Sequence, residues 1–253
     1  MASAGTQLRA LVTGGATNIG RAITECLVRD GAAVVVGQPD PAVAATLVAR
    51  HPGRVTAVAY DQGRPEDCRR LVAAAVEALG GLDVLVNNAA LSGAGAGGAF
   101  LDLDDAAIDR ILAVNLRGVI QLSVAAGRIM RAQGTGGVIV HISSINALRP
   151  QLNASVYAAT KAALSNLAQS MAKELAPHHI RVVAVAPGDI WTDTYEKLLQ
   201  ELKAKGLQND VAGQTPLGQG QPSDIGEMVA FLVSSRARYV TGTTVVVDGG
   251  LLA

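Results

Sequence analysis

The sequence has 253 residues, of which 49% are hydrophobic and 17% charged, and its 21 basic residues balance its 21 acidic ones. This composition supplies a buried core and excludes a disordered chain, while the zero net charge indicates neither a nucleic-acid nor an anionic-membrane partner. No secretory signal, apolar run of about 20 residues or metal-like cysteine spacing is present. We therefore expect one cytoplasmic α/β domain over residues 1–253.

Seven short, nearly all-apolar runs predict buried strands at 10–13, 33–36, 55–59, 84–86, 138–142, 182–185 and 243–247. Helical patterns alternate with them near 20–30, 41–50, 65–79, 104–132, 155–176 and 223–235. This alternation predicts a Rossmann-type, doubly wound, seven-stranded parallel sheet. We assign the cofactor to about 1–140 and the catalytic and substrate residues to about 141–253. The long connections, 91–99 and a mobile loop at about 193–222, follow strand ends where such sheets bind ligands.

A glycine-rich turn, Thr13-Gly14-Gly15-Ala16-Thr17-Asn18-Ile19-Gly20, joins the first predicted strand to the first helix. Such a turn lets the backbone approach a pyrophosphate at the helix N-terminus, although similar turns also occur without a ligand. The fourth strand ends in Asn87 and Asn88, which either form an Asx turn or organise neighbouring backbone.

Tyr157 and Lys161 are four residues apart in a predicted helix, on one face, and Ser144 precedes the tyrosine by thirteen residues. A free tyrosine, with a pKa of about 10, is a poor base, and a nearby ammonium group should lower that pKa. We therefore predict Tyr157 as the acid/base group and Lys161 as its activator. Ser144 is the predicted hydrogen-bond donor to the substrate oxygen, with Ser143 as its competitor.

Taken together, these motifs resemble the short-chain dehydrogenase/reductase family, in its common form of about 250 residues. The resemblance runs from the glycine turn to Val247-Asp248-Gly249-Gly250. It departs at Asn18, where the family usually has a glycine. Asparagine tolerates left-handed backbone better than most residues, so we expect the turn to survive, with the amide near the cofactor.

The resemblance implies NAD or NADP as cofactor. It assigns to the cofactor Gly14, Thr17, Asn18, Ile19, Gly20, Gln38, Asp61, Asn88, Ala89, Tyr157, Lys161, Pro187, Gly188, Ile190 and Thr192. Gln38 stands where NAD-preferring members usually have an acid, and Pro39 where NADP-preferring members usually have arginine. With no cation nearby and Asp40 adjacent, a 2′-phosphate would be poorly compensated, so we expect NAD.

The resemblance also makes Asn115 a catalytic residue, which holds a water that relays protons to Lys161. From the residues alone, an asparagine among apolar helical neighbours is a satisfied structural amide. The predicted substrate pocket contains Ser144, Asn146, Gln151, Asn153, Asp189 and Trp191. Its polarity favours a small hydroxylated substrate, such as a sugar, polyol or cyclic hydroxyketone, although a lone tryptophan more often serves in packing.

These observations predict an oxidoreductase that interconverts a secondary alcohol and a ketone. The alternative is an NADPH-dependent 3-oxoacyl-carrier-protein-type reductase, which would favour a basic surface beside the site; the charges near 193–221 balance instead. A third possibility, a non-catalytic dinucleotide-sensing protein, would be expected to have lost Tyr157 or Lys161. The resemblance implies a homotetramer paired through helices 104–132 and 155–176. The four histidines suggest no metal site.

Overall fold

The computed structural model describes residues 7–93, 98–193, 195–196, 199–200 and 214–253. Its strands are β1 (Arg9–Thr13), β2 (Ala33–Gln38), β3 (Val55–Ala59), β4 (Val84–Asn87), β5 (Gly137–Ile142), β6 (Ile180–Pro187) and β7 (Thr244–Val247). Its α-helices are α1 (Asn18–Arg29), α2 (Ala45–Arg50), α3 (Pro65–Leu79), α4 (Asp105–Leu112), α5 (Val119–Gln133), α6 (Ser155–Leu175) and α7 (Pro222–Val233).

The strands form one parallel sheet in the order β3-β2-β1-β4-β5-β6-β7. The predicted doubly wound sheet is therefore confirmed. The chain reverses its winding direction between β1 and β4, and the crevice beyond the carboxyl ends of these strands is where open sheets bind ligands. The glycine turn follows β1 and the asparagine pair ends β4, so both lie at this crevice.

Apolar side chains cover both faces of the sheet, which explains why its strands are almost continuously apolar. The first core packs residues of α1, α2 and α7 on one face, including Ile23, Leu47 and Ile225. The second packs α3, α5 and α6 on the other, including Leu71, Leu122 and Ala168. The bounds of β3 and α3 agree with the predicted ranges 55–59 and 65–79.

The predicted helix 104–132 is interrupted. A π-helical segment, Ala113–Gly118, separates α4 from α5. The predicted helix 41–50 likewise starts as a 3₁₀ turn, Pro41–Ala44. Among the residues that the structure describes, no helix has the length and apolarity needed to cross a membrane. Most of the predicted mobile loop, 194, 197–198 and 201–213, lies outside the described residues, as does 94–97.

Candidate active site

The glycine turn closes tightly over the N-terminus of α1. Gly14 and Asn18 have φ angles of 62° and 48°, so the asparagine takes the left-handed conformation expected of it. A Cβ atom on Gly20 would lie 2.0 Å from the Gly14 carbonyl oxygen and 2.5 Å from Nδ2 of Asn88. The turn therefore requires glycine at position 20.

Asn88 and Thr13 brace this turn against the end of β4. The Asn88 side chain donates from Nδ2 to the Thr13 carbonyl oxygen at 2.9 Å. In return, the Thr13 hydroxyl oxygen accepts from the backbone N–H groups of Asn88 and Ala89 at 2.9 and 3.0 Å. Asn88 thus organises backbone, as one of its two sequence interpretations had it.

The N-terminus of α1 suits a negatively charged group. Thr17 precedes the helix without capping it through its side chain, which leaves the first helical N–H groups for an anion. The Asn18 side chain is committed elsewhere, because its Oδ1 accepts from the Asp193 N–H at 3.0 Å. It therefore ties the turn to the segment after β6.

Gln38 fits the ribose end of a dinucleotide. Its side chain is buried at the end of β2, with 6% exposure, and among the described residues its Nε2 has no hydrogen-bond partner. A buried unpaired donor is costly and calls for an acceptor. A bound ribose hydroxyl would supply one, so the cradle fits the nicotinamide dinucleotide that the sequence implies.

Asp61 lies beyond Gln38 in a cavity of about 250 Å³, which Pro39, Arg70 and Arg110 also line. Burial works to raise the Asp61 pKa, but hydrogen bonds from the Gly63 N–H and Arg110 outweigh it and hold the pKa below its usual range. The expectation that no cation lies near the end of β2 is therefore wrong. The guanidinium groups of Arg70 and Arg110 reach this cavity from α3 and α4, which are distant from β2 in the sequence.

Each of these cations is already paired with a carboxylate. Arg110 lies 3.1 Å from Asp61, and Arg70 lies 3.1 Å from Asp67. Asp40 adds a further carboxylate at this end of the sheet and caps the following 3₁₀ turn by accepting from the Ala42 N–H at 2.9 Å. The cavity is thus balanced in charge rather than cationic.

The predicted catalytic residues meet beyond the carboxyl end of β5. Ser144 directly follows that strand and accepts from the Asn146 N–H at 3.1 Å, and its side chain acts to lower the pKa of Tyr157. Lys161 is buried with 3% exposure. Its Nζ donates to the Ile142 carbonyl oxygen at 2.7 Å and lies 5.5 Å from the centre of the Tyr157 ring.

The electrostatics of this trio differ from expectation. Burial raises the pKa of the Tyr157 hydroxyl, and only the hydrogen bond with Ser144 acts to lower it. Burial lowers the pKa of Lys161 to about 8, and its ammonium group is directed to a carbonyl oxygen. The helical spacing thus fixes the two backbone positions but leaves the long lysine side chain free to choose its hydrogen-bond partner.

The structure separates the two candidate serines. Ser143 is buried with 3% exposure; its hydroxyl donates to the Lys161 carbonyl oxygen at 2.9 Å and lies 2.9 Å from the Ser165 hydroxyl. Ser144 instead faces Tyr157. This placement supports Ser144 as the substrate-side serine.

Asn115 lies in the π-helical segment with 1% exposure. Its Oδ1 accepts from the Leu91 N–H at 2.8 Å, and its Nδ2 donates to the Leu91 carbonyl oxygen at 2.9 Å. The Oδ1 and Nδ2 atoms thus each make one hydrogen bond to the segment after β4, which leaves one N–H and one oxygen lone pair without a partner among the described residues.

The segment after β6 completes the crevice. Gly188 donates to the Val247 carbonyl oxygen at 2.9 Å, and a Cβ there would lie 2.5 Å from the Asp248 Cα. Ile190 is buried. Pro187, the last residue of β6, and Thr192, which accepts from the Tyr195 N–H at 3.1 Å, flank these residues at the same edge of the sheet.

Most of the predicted substrate residues form hydrogen-bonded groups. Nδ2 of Asn146 donates to Gln151, and Nε2 of Gln219 donates to Asp189 at 3.1 Å. Trp191 is 37% exposed and meets Tyr195 edge-on at 6.1 Å, an arrangement that allows both packing and a pocket wall. The remaining residue, Asn153, is exposed and has a φ of 59°, and its backbone carbonyl accepts from the Gly98 N–H.

A second buried polar group, formed by Asn87, Ser123 and His141, lies near Lys161. Ser123 donates to the Val119 carbonyl oxygen at 2.7 Å, so its oxygen accepts from Nδ2 of Asn87 at 3.1 Å. The same amide lies 3.1 Å from Nδ1 of His141. This nitrogen is therefore the acceptor and Nε2 carries the ring proton.

We expect His141 to make the fold sensitive to acid. Burial, together with the charge of Lys161, lowers the pKa of His141 to about 4, against about 6.5 when unfolded. Above pH 6.5 neither state binds the proton; below it only the unfolded state does, so the free energy of unfolding falls by about 3 kcal/mol by pH 4. Denaturant titrations should show a shallower fall for His141→Asn than for wild type.

The matched control is His178→Asn, which removes a half-buried histidine outside this group. It should follow the wild-type pH curve. Parallel curves for His141→Asn and wild type between pH 6.5 and 4 would contradict the assignment.

Within the described part of the chain, no group of three or more acidic, cysteine or histidine side chains is arranged to hold a metal ion. Cys26 and Cys68 are separate, buried thiols.

Comparison with known proteins shows to which family the chain belongs. The profile of a family described as Enoyl-(Acyl carrier protein) reductase matches residues 14–252. L-rhamnose 1-dehydrogenase (NAD(P)(+)) of Azotobacter vinelandii is 40% identical over 249 residues, which cover 95% of each chain. The chain belongs to the short-chain dehydrogenase/reductase family. The predicted enzyme class, an oxidoreductase acting on CH–OH groups, is confirmed.

Two further relatives show the range of this family. L-xylulose reductase of Bos taurus is 40% identical over 250 residues, covering 97% of this chain and 96% of the relative. The structure of 3-ketoacyl-(acyl-carrier-protein) reductase from Brucella melitensis complexed with NADH has a TM-score of 0.86 and 31% identity, covering 96% of this chain and 98% of that one. This short-chain dehydrogenase/reductase is thus similar to NAD(P)-dependent members across its length.

Proposed function

We propose that this enzyme interconverts a secondary alcohol and a ketone on a small polyhydroxylated substrate, with NAD as the preferred cofactor. The observation that carries the proposal is the meeting of Ser144, Tyr157 and Lys161 beyond β5, at the same edge of the parallel sheet as the glycine turn after β1. The bound nicotinamide gives or takes the hydride. The protein must therefore hold the reacting oxygen and move one proton.

Tyr157 is the proposed group that moves this proton. In reduction its hydroxyl donates the proton to the substrate oxygen, and in oxidation it receives one from the alcohol. The raised pKa of Tyr157 keeps the hydroxyl protonated at neutral pH, which suits the donor role. Ser144 donates a second hydrogen bond to the same oxygen, and this bond strengthens as negative charge develops there.

The polar groups around the site support a hydroxylated substrate. Asn146 and Gln151 lie beside Ser144, and the Asp189 carboxylate accepts from Gln219. Such donors and acceptors can exchange their present bonds for bonds to substrate hydroxyl groups, which a purely aliphatic substrate does not offer. Two relatives at 40% identity are named for sugars, L-rhamnose and L-xylulose.

A substrate panel tests this function. Purified enzyme with NAD is offered sugars and polyols, including L-rhamnose, and with NADH the matching ketones, including L-xylulose; nicotinamide absorbance is followed. We expect turnover that is abolished in Tyr157→Phe. Turnover confined to long aliphatic or steroid alcohols would contradict the substrate class.

We expect Asp40 to contribute to the choice of NAD. Asp40→Asn keeps the side-chain oxygen that caps the 3₁₀ turn but removes a charge that repels a 2′-phosphate. NADPH affinity, measured by calorimetry, should rise about tenfold at low salt and less at high salt, while NADH affinity stays unchanged. Asp109→Asn, an exposed carboxylate on α4, is the control. Equal changes for both cofactors would contradict the prediction.

The second candidate is reduction of a 3-oxoacyl thioester. Its support is the similarity to the Brucella melitensis reductase; the family description shares with it only the acyl carrier protein. A 3-oxoacyl thioester with NADPH, added to the same panel, distinguishes the two candidates, because only a carrier-protein reductase would turn it over faster than any sugar ketone.

We further propose that the chain is one domain, that it acts in the cytoplasm, and that it forms a homotetramer. Exposed apolar side chains support the assembly: Leu112 on α4, and Ile120 and Val124 on α5, are 38%, 38% and 47% exposed. Apolar surface of this kind favours burial against another subunit.

A further inference from the structure

Gln62, just beyond the end of β3, connects three parts of the site. It is 4% exposed. Both hydrogens of its side-chain amide are used: Nε2 donates to the Ala89 carbonyl oxygen at 2.9 Å and to the Val114 carbonyl oxygen at 2.8 Å. The first acceptor follows the asparagine pair of β4, and the second lies in the π-helical segment.

Tyr60 fixes the orientation of this amide. Its hydroxyl donates to Oε1 of Gln62 at 2.7 Å, and the ring is 3% exposed. With Oε1 held by a donor, Nε2 must face the two carbonyl groups. All polar atoms of the Gln62 side chain are therefore satisfied in one arrangement.

The backbone of the π-helical segment also packs directly on Gln62. A Cβ atom on Gly118 would lie 2.3 Å from the Gln62 carbonyl oxygen and 2.6 Å from its Cγ. Gln62 thus contacts the segment near its start, at Val114, and at its end, at Gly118. Asn115 lies between these contacts.

A π-helical turn interrupts the α-helical hydrogen-bond pattern, so its conformation depends on neighbours. One neighbour is the Leu91 backbone, which pairs with the Asn115 side chain. Another is Gln62, which holds Ala89, two residues before Leu91, and Val114, one residue before Asn115. The same amide therefore fixes both sides of the Leu91–Asn115 pairing relative to each other.

We infer that Gln62 is a positioning residue for Asn115: it clamps the π-helical segment to the segment after β4. The inference rests on the proposed function for its catalytic consequence, but the clamp itself does not. Removing the amide should loosen both segments together and lower the rate of the chemical step, while the NADH cradle at the glycine turn stays intact.

Hydrogen exchange tests the clamp without any assay of activity. Gln62→Met keeps the length of the side chain but removes both donors. We expect faster amide exchange at 89–91 and 113–118 than in wild type, with no change at the glycine turn, 13–20. Unchanged exchange at 113–118 would overturn the inference. If Gln62→Met does not fold, Tyr60→Phe, which removes only the orienting hydroxyl, should give a smaller change at the same sites.

Kinetics then test the catalytic consequence. In Gln62→Met we expect kcat to fall about tenfold, while KM and the NADH affinity stay within about twofold of the wild-type values. A general loss of stability would not lower kcat and leave KM unchanged in this way. Combining it with Asn115→Ala should cost little more than Asn115→Ala alone, because both act on one element. Additive losses would show that Gln62 acts elsewhere.

Gln62→Glu supplies a pH signature. Its carboxylate would face two carbonyl oxygens and be repelled, whereas the protonated acid can donate to one of them. The ratio of its kcat to that of wild type should therefore rise as pH falls. A ratio independent of pH would overturn the clamp. Loss of wild-type turnover on every substrate would instead contradict the proposed function and leave hydrogen exchange to decide the clamp.

Discussion

Tyr157→Phe is expected to lower kcat by about 10²–10⁴-fold, the usual contribution of a general acid/base group. The substitution removes one hydroxyl and leaves the ring next to Lys161, so the site keeps its shape. NADH affinity should change by no more than about threefold. Steady-state kinetics on the best substrate of the panel, with calorimetry for NADH, provide the measurement.

Tyr239→Phe is the matched control, because that ring is 94% exposed and distant from the predicted site residues in sequence. It should be indistinguishable from wild type. If Tyr157→Phe kept more than a tenth of the wild-type rate, the proton would have to come from another group, and the role assigned to Tyr157 would be lost.

Gly20→Ala is expected to abolish tight NADH binding. The new methyl group would lie 2.0 Å from the Gly14 carbonyl oxygen, which is backbone, and 2.5 Å from an Asn88 amide that is hydrogen-bonded to Thr13. Neither can withdraw without opening the turn. We expect NADH affinity to fall by more than tenfold and the protein to lose about 1–3 kcal/mol of stability from overpacking.

Gly127→Ala tests whether any helical glycine would behave this way. Gly127 lies in α5, and a Cβ there would meet only Leu175, at 4.0 Å. It should gain up to about 1 kcal/mol from helix propensity and bind NADH as wild type does. Wild-type NADH affinity in Gly20→Ala would show that the turn is not the dinucleotide cradle.

The sheet, its parallel order and most strand positions follow from the sequence because the central strands are buried on both faces and are therefore almost continuously apolar. Ser144, Tyr157 and Lys161 could also be found, since a strand end and one helical turn fix their backbones. These features depend on short-range patterns, which a sequence displays directly.

Other features depend on partners far away in the chain. No proline marks the interruption of helix 104–132 in the sequence; the π-helical turn instead contacts Gln62 and Leu91, which lie far away in the chain. Arg70 and Arg110 reach the cavity near Pro39 from two different helices, so the residues that adjoin β2 in the sequence do not indicate these two cations. The direction of the Lys161 side chain was likewise not set by its spacing from Tyr157.

The brace between Thr13 and Asn88 joins residues 75 positions apart in the chain. Closing so long a loop costs conformational entropy, which slows folding, and an all-parallel sheet contains no hairpin that would shorten the loop. The dinucleotide cradle therefore exists only after β1 and β4 have paired. Added NADH should accordingly slow unfolding and raise the apparent melting temperature, while leaving the rate of refolding unchanged.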